Sequence, residues 1–136
     1  NIVIVDDYAH HPSEIDATIL AARNGWEINK LIIVFQPHLY SRTKNFFKEF
    51  AKSLSQSDIV ILTDIYPARE EKIKGITSEI ILDNLNGVDS YILSKEDIPD
   101  KLLSISDDND MIIVMGAGDI KSITSNICEK LEACDA

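Results

Sequence analysis

Long hydrophobic runs, cysteine and positive charge are all scarce in this chain, and each shortage removes a class of protein. The longest apolar stretches, such as Leu31 to Phe35 and Met111 to Met115, reach five residues, whereas a membrane-spanning helix needs roughly 20. No membrane segment is expected. There are only two cysteines, Cys128 and Cys134. Their spacing suits neither a close pair of zinc ligands nor a disulfide framework, and a reducing cytoplasm is the simplest setting. Lysine and arginine total 13 against 23 aspartate and glutamate, for a net charge of −10, so no basic surface is offered to nucleic acid. A phosphate loop of the form G-x-x-x-x-G-K-[ST] is missing, so any ATP cradle has to come from elsewhere. A basic segment followed by an apolar leader is missing too, as is an initial Met. The chain opens directly on the strand-like Asn1-Ile2-Val3-Ile4-Val5 and reads as one domain, residues 1–136, cut from a longer protein.

What is present is the composition of a folded domain, with 136 residues, 45% of them hydrophobic and 26% charged. Short runs rich in Ile and Val recur at Ile2–Val5, Leu31–Phe35, Ile59–Leu62, Tyr91–Leu93 and Met111–Met115. They are continuous instead of alternating, as expected of strands covered on both faces. Helical periodicity lies between them. Ser13-x-x-Asp16 resembles a capping box with Pro12 just outside it, and Ile15, Ile19 and Ala22 mark one face before Gly25. A second helix is predicted from Arg42 or Thr43 to Leu54, with Phe46, Phe47, Phe50 and Leu54 as a core stripe. A third is predicted over Ser78–Leu85, and a weaker one over Lys95–Leu103 with Pro99 limiting its regularity. The last follows Gly118. Strand alternating with helix predicts an α/β fold: a doubly wound, mostly parallel, Rossmann-like sheet of about five to six strands with helices on both faces.

In such a sheet, ligands bind beyond the carboxyl ends of the strands. Four polar segments fall there: residues 6–12, 36–43, 64–71 and 116–119. They hold all three histidines and three of the four tyrosines. Asp6 and Asp7 can cap the next turn or, with Tyr8, His10 and His11, exchange protons or hold a cation. Adjacent His10 and His11 point in different directions in an extended segment and no cysteine joins them, so no metal site is expected within this chain. Arg42 lies near a helix start, where a cation is disfavoured. That placement suggests either a two-pronged clamp on a carboxylate or phosphate, or a surface pair with an acid such as Glu49. The charged stretch Arg69, Glu70, Glu71, Lys72 and Lys74 reads equally as a solvated run or as a substrate-facing loop.

Asp-Asp-Tyr-Ala-His-His-Pro at 6–12, Phe-Gln-Pro-His-x-Tyr-Ser-Arg-Thr at 35–43, Asp-Ile-Tyr-Pro-Ala at 64–68 and Gly-Ala-Gly-Asp-Ile at 116–120 resemble the C-terminal domain of Mur ligases of the UDP-N-acetylmuramate:L-alanine type. The resemblance implies a bacterial, cytoplasmic enzyme of peptidoglycan synthesis with two further domains, one for the UDP-sugar and a central one holding ATP and Mg. Its partners would be UDP-N-acetylmuramate, L-alanine and ATP, with this domain closing over them, binding no cofactor tightly and inactive alone. Carried over by position, Asp7 is the catalytic and ATP-side contact and His10 the second catalytic residue. Tyr8, His38 and Arg42 bind substrate, the last two at the alanine carboxylate. Leu39 stands where many relatives have Arg, which leaves Lys44 or Arg69 as possible compensation. Two alternatives stand beside this: a murein tripeptide ligase, and a flavodoxin-like or receiver-like binding module phosphorylated on Asp64. The absence of Lys from the Gly116-Ala117-Gly118 region argues against the receiver.

Overall fold

The structure, a computed structural model, describes residues 1–132. Its elements are β1 (Val3–Asp7), α1 (Pro12–Gly25), β2 (Leu31–Phe35), α2 (Tyr40–Leu54), β3 (Ile59–Leu62), α3 (Glu79–Leu82), β4 (Asp89–Ile92), α4 (Ile98–Ile105), β5 (Met111–Met115) and α5 (Thr124–Leu131). Single 3-10 turns at Lys95–Asp97 and Ile120–Ile123 lead into α4 and α5. The five strands form one sheet in the order β1-β5-β2-β3-β4, and every pairing is parallel.

Central β2 explains why its sequence is an unbroken apolar run: all five of its residues are buried, because side chains alternate between two covered faces. Ile33 and Phe35 join Leu62, Ile113 and Met115 against α1, α2 and α3. Ile32 and Val34 join Ile4, Ile61 and Val114 against α4 and α5. Phe35 and Phe50 pack with ring centroids 5.4 Å apart, and truncating either to Ala leaves a core cavity costing about 3 to 5 kcal/mol. The loops after β2 and β3 leave toward the face of α2 and α3, while the loop after β5 leaves toward α5. This divergence opens a crevice at the strands' carboxyl ends.

Several boundaries differ from expectation. β1 runs on through Asp6 and Asp7, because their backbones pair with Val114 and Met115 whatever their side chains are. Pro12 is the first residue of α1 and not outside it. The return bonds of the cap come from Glu14, whose Oε1 accepts the N–H groups of His10 and His11 at 3.1 Å each; Ser13 and Asp16 play no such part. α2 starts at Tyr40, α3 is a single turn, and Pro99 sits in the first turn of α4, where its missing N–H costs nothing. Phe46 is 36% exposed, so it is not core; its ring lies against that of His11. Cys128 packs against the α4–α5 side of the core, whereas Cys134 lies outside the described residues.

Candidate functional site at the strand ends

The loop leaving β2 is zipped to the loop leaving β3. Leu39 N–H donates to the Tyr66 carbonyl and Tyr66 N–H donates to the Pro37 carbonyl, both at 2.8 Å, and His38 and Tyr66 face each other in a parallel bridge. Their rings stack with centroids 5.6 Å apart and planes 29° apart. Leu39 caps α2 with φ +76°, a left-handed value that costs a non-glycine residue on the order of 1 to 3 kcal/mol and survives only when neighbours enforce it. The two loop bonds supply that enforcement.

Arg42 is the third residue of α2, and its Nη1 lies 3.2 Å from His38 Nδ1. A guanidinium can only donate, so Nδ1 is the acceptor and the ring proton of His38 sits on Nε2. Burial, then the charges of Arg42 and His10, hold the His38 imidazole below its usual pKa, against an opposing pull from Glu70. The ring of His10 meets that of His38 edge-on at 5.9 Å and that of Tyr8 at 5.4 Å. His10 Nδ1 is 2.8 Å from the Tyr8 carbonyl. A carbonyl only accepts, so in the neutral ring Nε2 is left unprotonated and able to take a proton. Tyr8 itself is 65% exposed.

The structure therefore brings Tyr8, His10, His38 and Arg42 into one cluster. Asp7 stands apart from it. Its Oδ1 accepts Ala9 N–H at 2.7 Å and its Oδ2 accepts the Thr18 hydroxyl at 3.0 Å, and it borders a shallow groove with Ala17, Ala21 and Trp26. Asp6 points to the opposite face, where the Thr124 hydroxyl donates to it. Among the described residues no three His, Cys, Asp or Glu groups are placed to hold a metal ion. Both aspartates accept hydrogen bonds from protein donors, Asp7 from Ala9 and Thr18 and Asp6 from Thr124.

Residues to which the sequence assigns no individual role complete the crevice. The Gln36 side chain is buried, donates to Asp119 Oδ1 at 2.8 Å and accepts Ile120 N–H at 3.2 Å. Lys95 donates to the other Asp119 oxygen at 2.8 Å. Bonds from Gln36 and then Lys95 hold the Asp119 carboxyl below its ordinary range. Tyr66, Lys95 and Asp119 line a cavity of about 360 Å³. Gly118 is required by contact, since a Cβ there would lie 2.5 Å from the Tyr66 ring and 2.6 Å from Gln36 Oε1. A buried amide beside an acidic residue after a Gly-x-Gly turn was the available signal. Arg42 makes no pair with Glu49, and neither Lys44 nor Arg69, both exposed, bonds to the cluster.

These features define the class: a Rossmann-like α/β domain with a cluster of histidine, tyrosine and arginine side chains on loops beyond the carboxyl ends of its strands. The chain belongs to the Mur ligase family, whose glutamate ligase domain matches residues 1–118. It is 45% identical over 136 residues to a UDP-N-acetylmuramate–L-alanine ligase of Geotalea uraniireducens, covering 97% of this chain and 30% of that protein. It is 50% identical over 128 residues to the ligase of the same description from Phocaeicola vulgatus, covering 93% and 28%. The chain thus spans less than a third of the length of these relatives. The crystal structure of the UDP-N-acetylmuramate–alanine ligase of Thermotoga maritima superposes with a TM-score of 0.76 at 30% identity, covering 97% of this chain and 27% of that one. A domain from a Haemophilus ducreyi ligase described as acting on a UDP-N-acetylmuramate and a diaminopimelate-containing tripeptide superposes at 0.72 with 25% identity, covering 96% and 92%. A chain hardly longer than this one has therefore been crystallised by itself. No helix among the described residues is long and apolar enough to cross a membrane.

Proposed function

We propose that this chain is the closing, substrate-binding domain of a bacterial, cytoplasmic ligase that joins L-alanine to UDP-N-acetylmuramate at the expense of ATP in peptidoglycan synthesis. The observation that carries this reading is the convergence of Arg42, His38, His10 and Tyr8 from two loops, beside the aromatic ring of Tyr66 from a third. The 45 to 50% identity to UDP-N-acetylmuramate–L-alanine ligases favours alanine over a tripeptide as the incoming amine. ATP and Mg are assigned to the remainder of the ligase, together with the UDP-sugar.

Within the domain, the planar fork of Arg42 suits the two oxygens of the alanine carboxylate, and His38, neutral and hydrogen-bonded to Arg42, keeps that fork oriented. His10, with Nε2 open, is suited to accept the proton that the alanine ammonium must lose before it can attack an activated carboxyl group. Tyr8, exposed here, has its ring free to be covered when the domain closes and excludes water. Asp7, beside the neighbouring groove, is assigned the contact on the ATP side.

The test is made in the complete ligase that carries this domain. Arg42→Ala is expected to raise KM for L-alanine by an amount worth about 2 to 4 kcal/mol, the cost of losing a charged partner. Arg42→Lys restores the charge but not the fork, and recovers only part of that loss. The 136-residue chain alone is expected to show no turnover. An unchanged alanine KM in Arg42→Ala, or ligase activity from the chain alone, defeats the reading.

A further inference from the structure

Helix α2 begins without a cap of its own. Leu39 at its N-cap has no side-chain acceptor, which leaves the first-turn N–H groups without a local partner. The acceptor comes from another loop. Glu70 Oε1 accepts the Ser41 N–H at 3.0 Å, and Glu70 Oε2 accepts the Ser41 hydroxyl. The Ser41 contacts, with a smaller one from the Tyr40 N–H, hold the Glu70 carboxyl below its ordinary range. The chain reaches this position because Ala68 and Arg69 both take left-handed backbone angles, φ +46° and +78°, closing a turn in which Glu70 N–H donates to the Pro67 carbonyl at 2.9 Å.

The loop so anchored is the one that carries Tyr66, and the helix it anchors is the one that carries Arg42. One end of the loop therefore presses a ring onto His38, while the other places a carboxylate on the turn that holds Arg42. That negative charge also offsets the electrostatic disfavour of a cation in the first turn of a helix.

We propose that Glu70 is a positioning residue for the amino-acid carboxylate: by capping α2 from the loop after β3, it fixes Arg42 relative to His38 and Tyr66. Glu70 touches no substrate itself. The proposal rests on the reading of Arg42 as the carboxylate contact, and the experiment separates the two.

The first measurement is amide hydrogen exchange on the 136-residue chain. In Glu70→Ala the Ser41 amide is expected to exchange about tenfold faster or more, with Glu70→Gln, which keeps one acceptor oxygen, in between. Unchanged Ser41 exchange in Glu70→Ala overturns the cap. The second is steady-state kinetics in the complete ligase. Glu70→Ala is expected to raise KM for L-alanine about tenfold with kcat nearly unchanged. Glu70→Gln should recover part of the loss and Ser41→Ala should shift KM the same way by less. If Glu70→Ala fails to fold, the isosteric Glu70→Gln and Ser41→Ala carry the test. If Arg42→Ala raises KM while the Glu70 and Ser41 variants do not, or if these lower kcat alone, the positioning role is overturned and the function of the domain stands. If Arg42→Ala itself leaves KM unmoved, the carboxylate reading falls and the positioning role falls with it.

Discussion

The imidazole of His38 receives a hydrogen bond at Nδ1 from the guanidinium of Arg42, four residues on and 3.2 Å away. The two side chains cooperate only while the imidazole is neutral. Protonation at Nδ1 removes the acceptor and sets two cations face to face, so the folded domain resists it.

His38 is accordingly expected to titrate below its ordinary value of 6.5, the causes being burial first and the Arg42 charge second. The native state then binds fewer protons than the unfolded chain below that value. The stability linked to His38 is present above it and is lost as pH falls through the depressed native pKa. Histidine NMR titration of the chain checks this, and Arg42→Ala should move the midpoint back upward. A midpoint at or above the ordinary value contradicts the geometry.

Two glycines should respond to alanine with opposite signs. At Gly118 the added methyl lands 2.5 Å from the Tyr66 ring and 2.6 Å from Gln36 Oε1. The buried amide is held from both ends, so Tyr66 has to shift away from His38. Gly118→Ala should lose about 1 to 3 kcal/mol, as overpacked sites do. Gly25 ends α1 with nothing within 4 Å of an added Cβ, so Gly25→Ala should gain about 0.4 to 1 kcal/mol by restricting the unfolded chain. Urea unfolding of both variants measures the contrast, and equal shifts would refute the packing account of Gly118.

The parts of the fold legible in the sequence are those governed by local pattern. Leu31–Phe35, Ile59–Leu62 and Met111–Met115 are observed with the predicted bounds, because burial on both faces leaves an apolar run that no loop carries. The four rim segments were legible for a related reason: the strand ends dictate where loops must gather. Long-range partners were not legible. The start of α2, at Tyr40, lies before the predicted Arg42 or Thr43 because Leu39 is not a capping residue, and its true cap, Glu70, lies in a charged stretch that looks like any solvated surface. Alternation along β1 sends Asp6 and Asp7 to opposite faces, but the partners they meet there, Thr124 for one and Ala9 and Thr18 for the other, are not written in the local sequence.

Acid should undo the same long-range bonds. Glu14 is held below its ordinary value of 4.5 chiefly by the His10 N–H, Glu70 below 4.5 by Ser41, and Asp119 below 3.8 by Gln36 and then Lys95. In each case the native carboxyl binds its proton less readily than the unfolded one. The stability each contributes is therefore complete above the ordinary value and disappears as pH drops through the lowered native value. Chemical unfolding across pH should show stability falling below about 4.5, in addition to the loss already begun at His38. Glu70→Gln has no charge to lose at this site, so it should be less stable than the parent near neutrality and approach it as pH falls. A gap that stays constant or widens in acid would mean that the Glu70 charge contributes nothing to holding α2, and the bond to Ser41 would then count only for its shape.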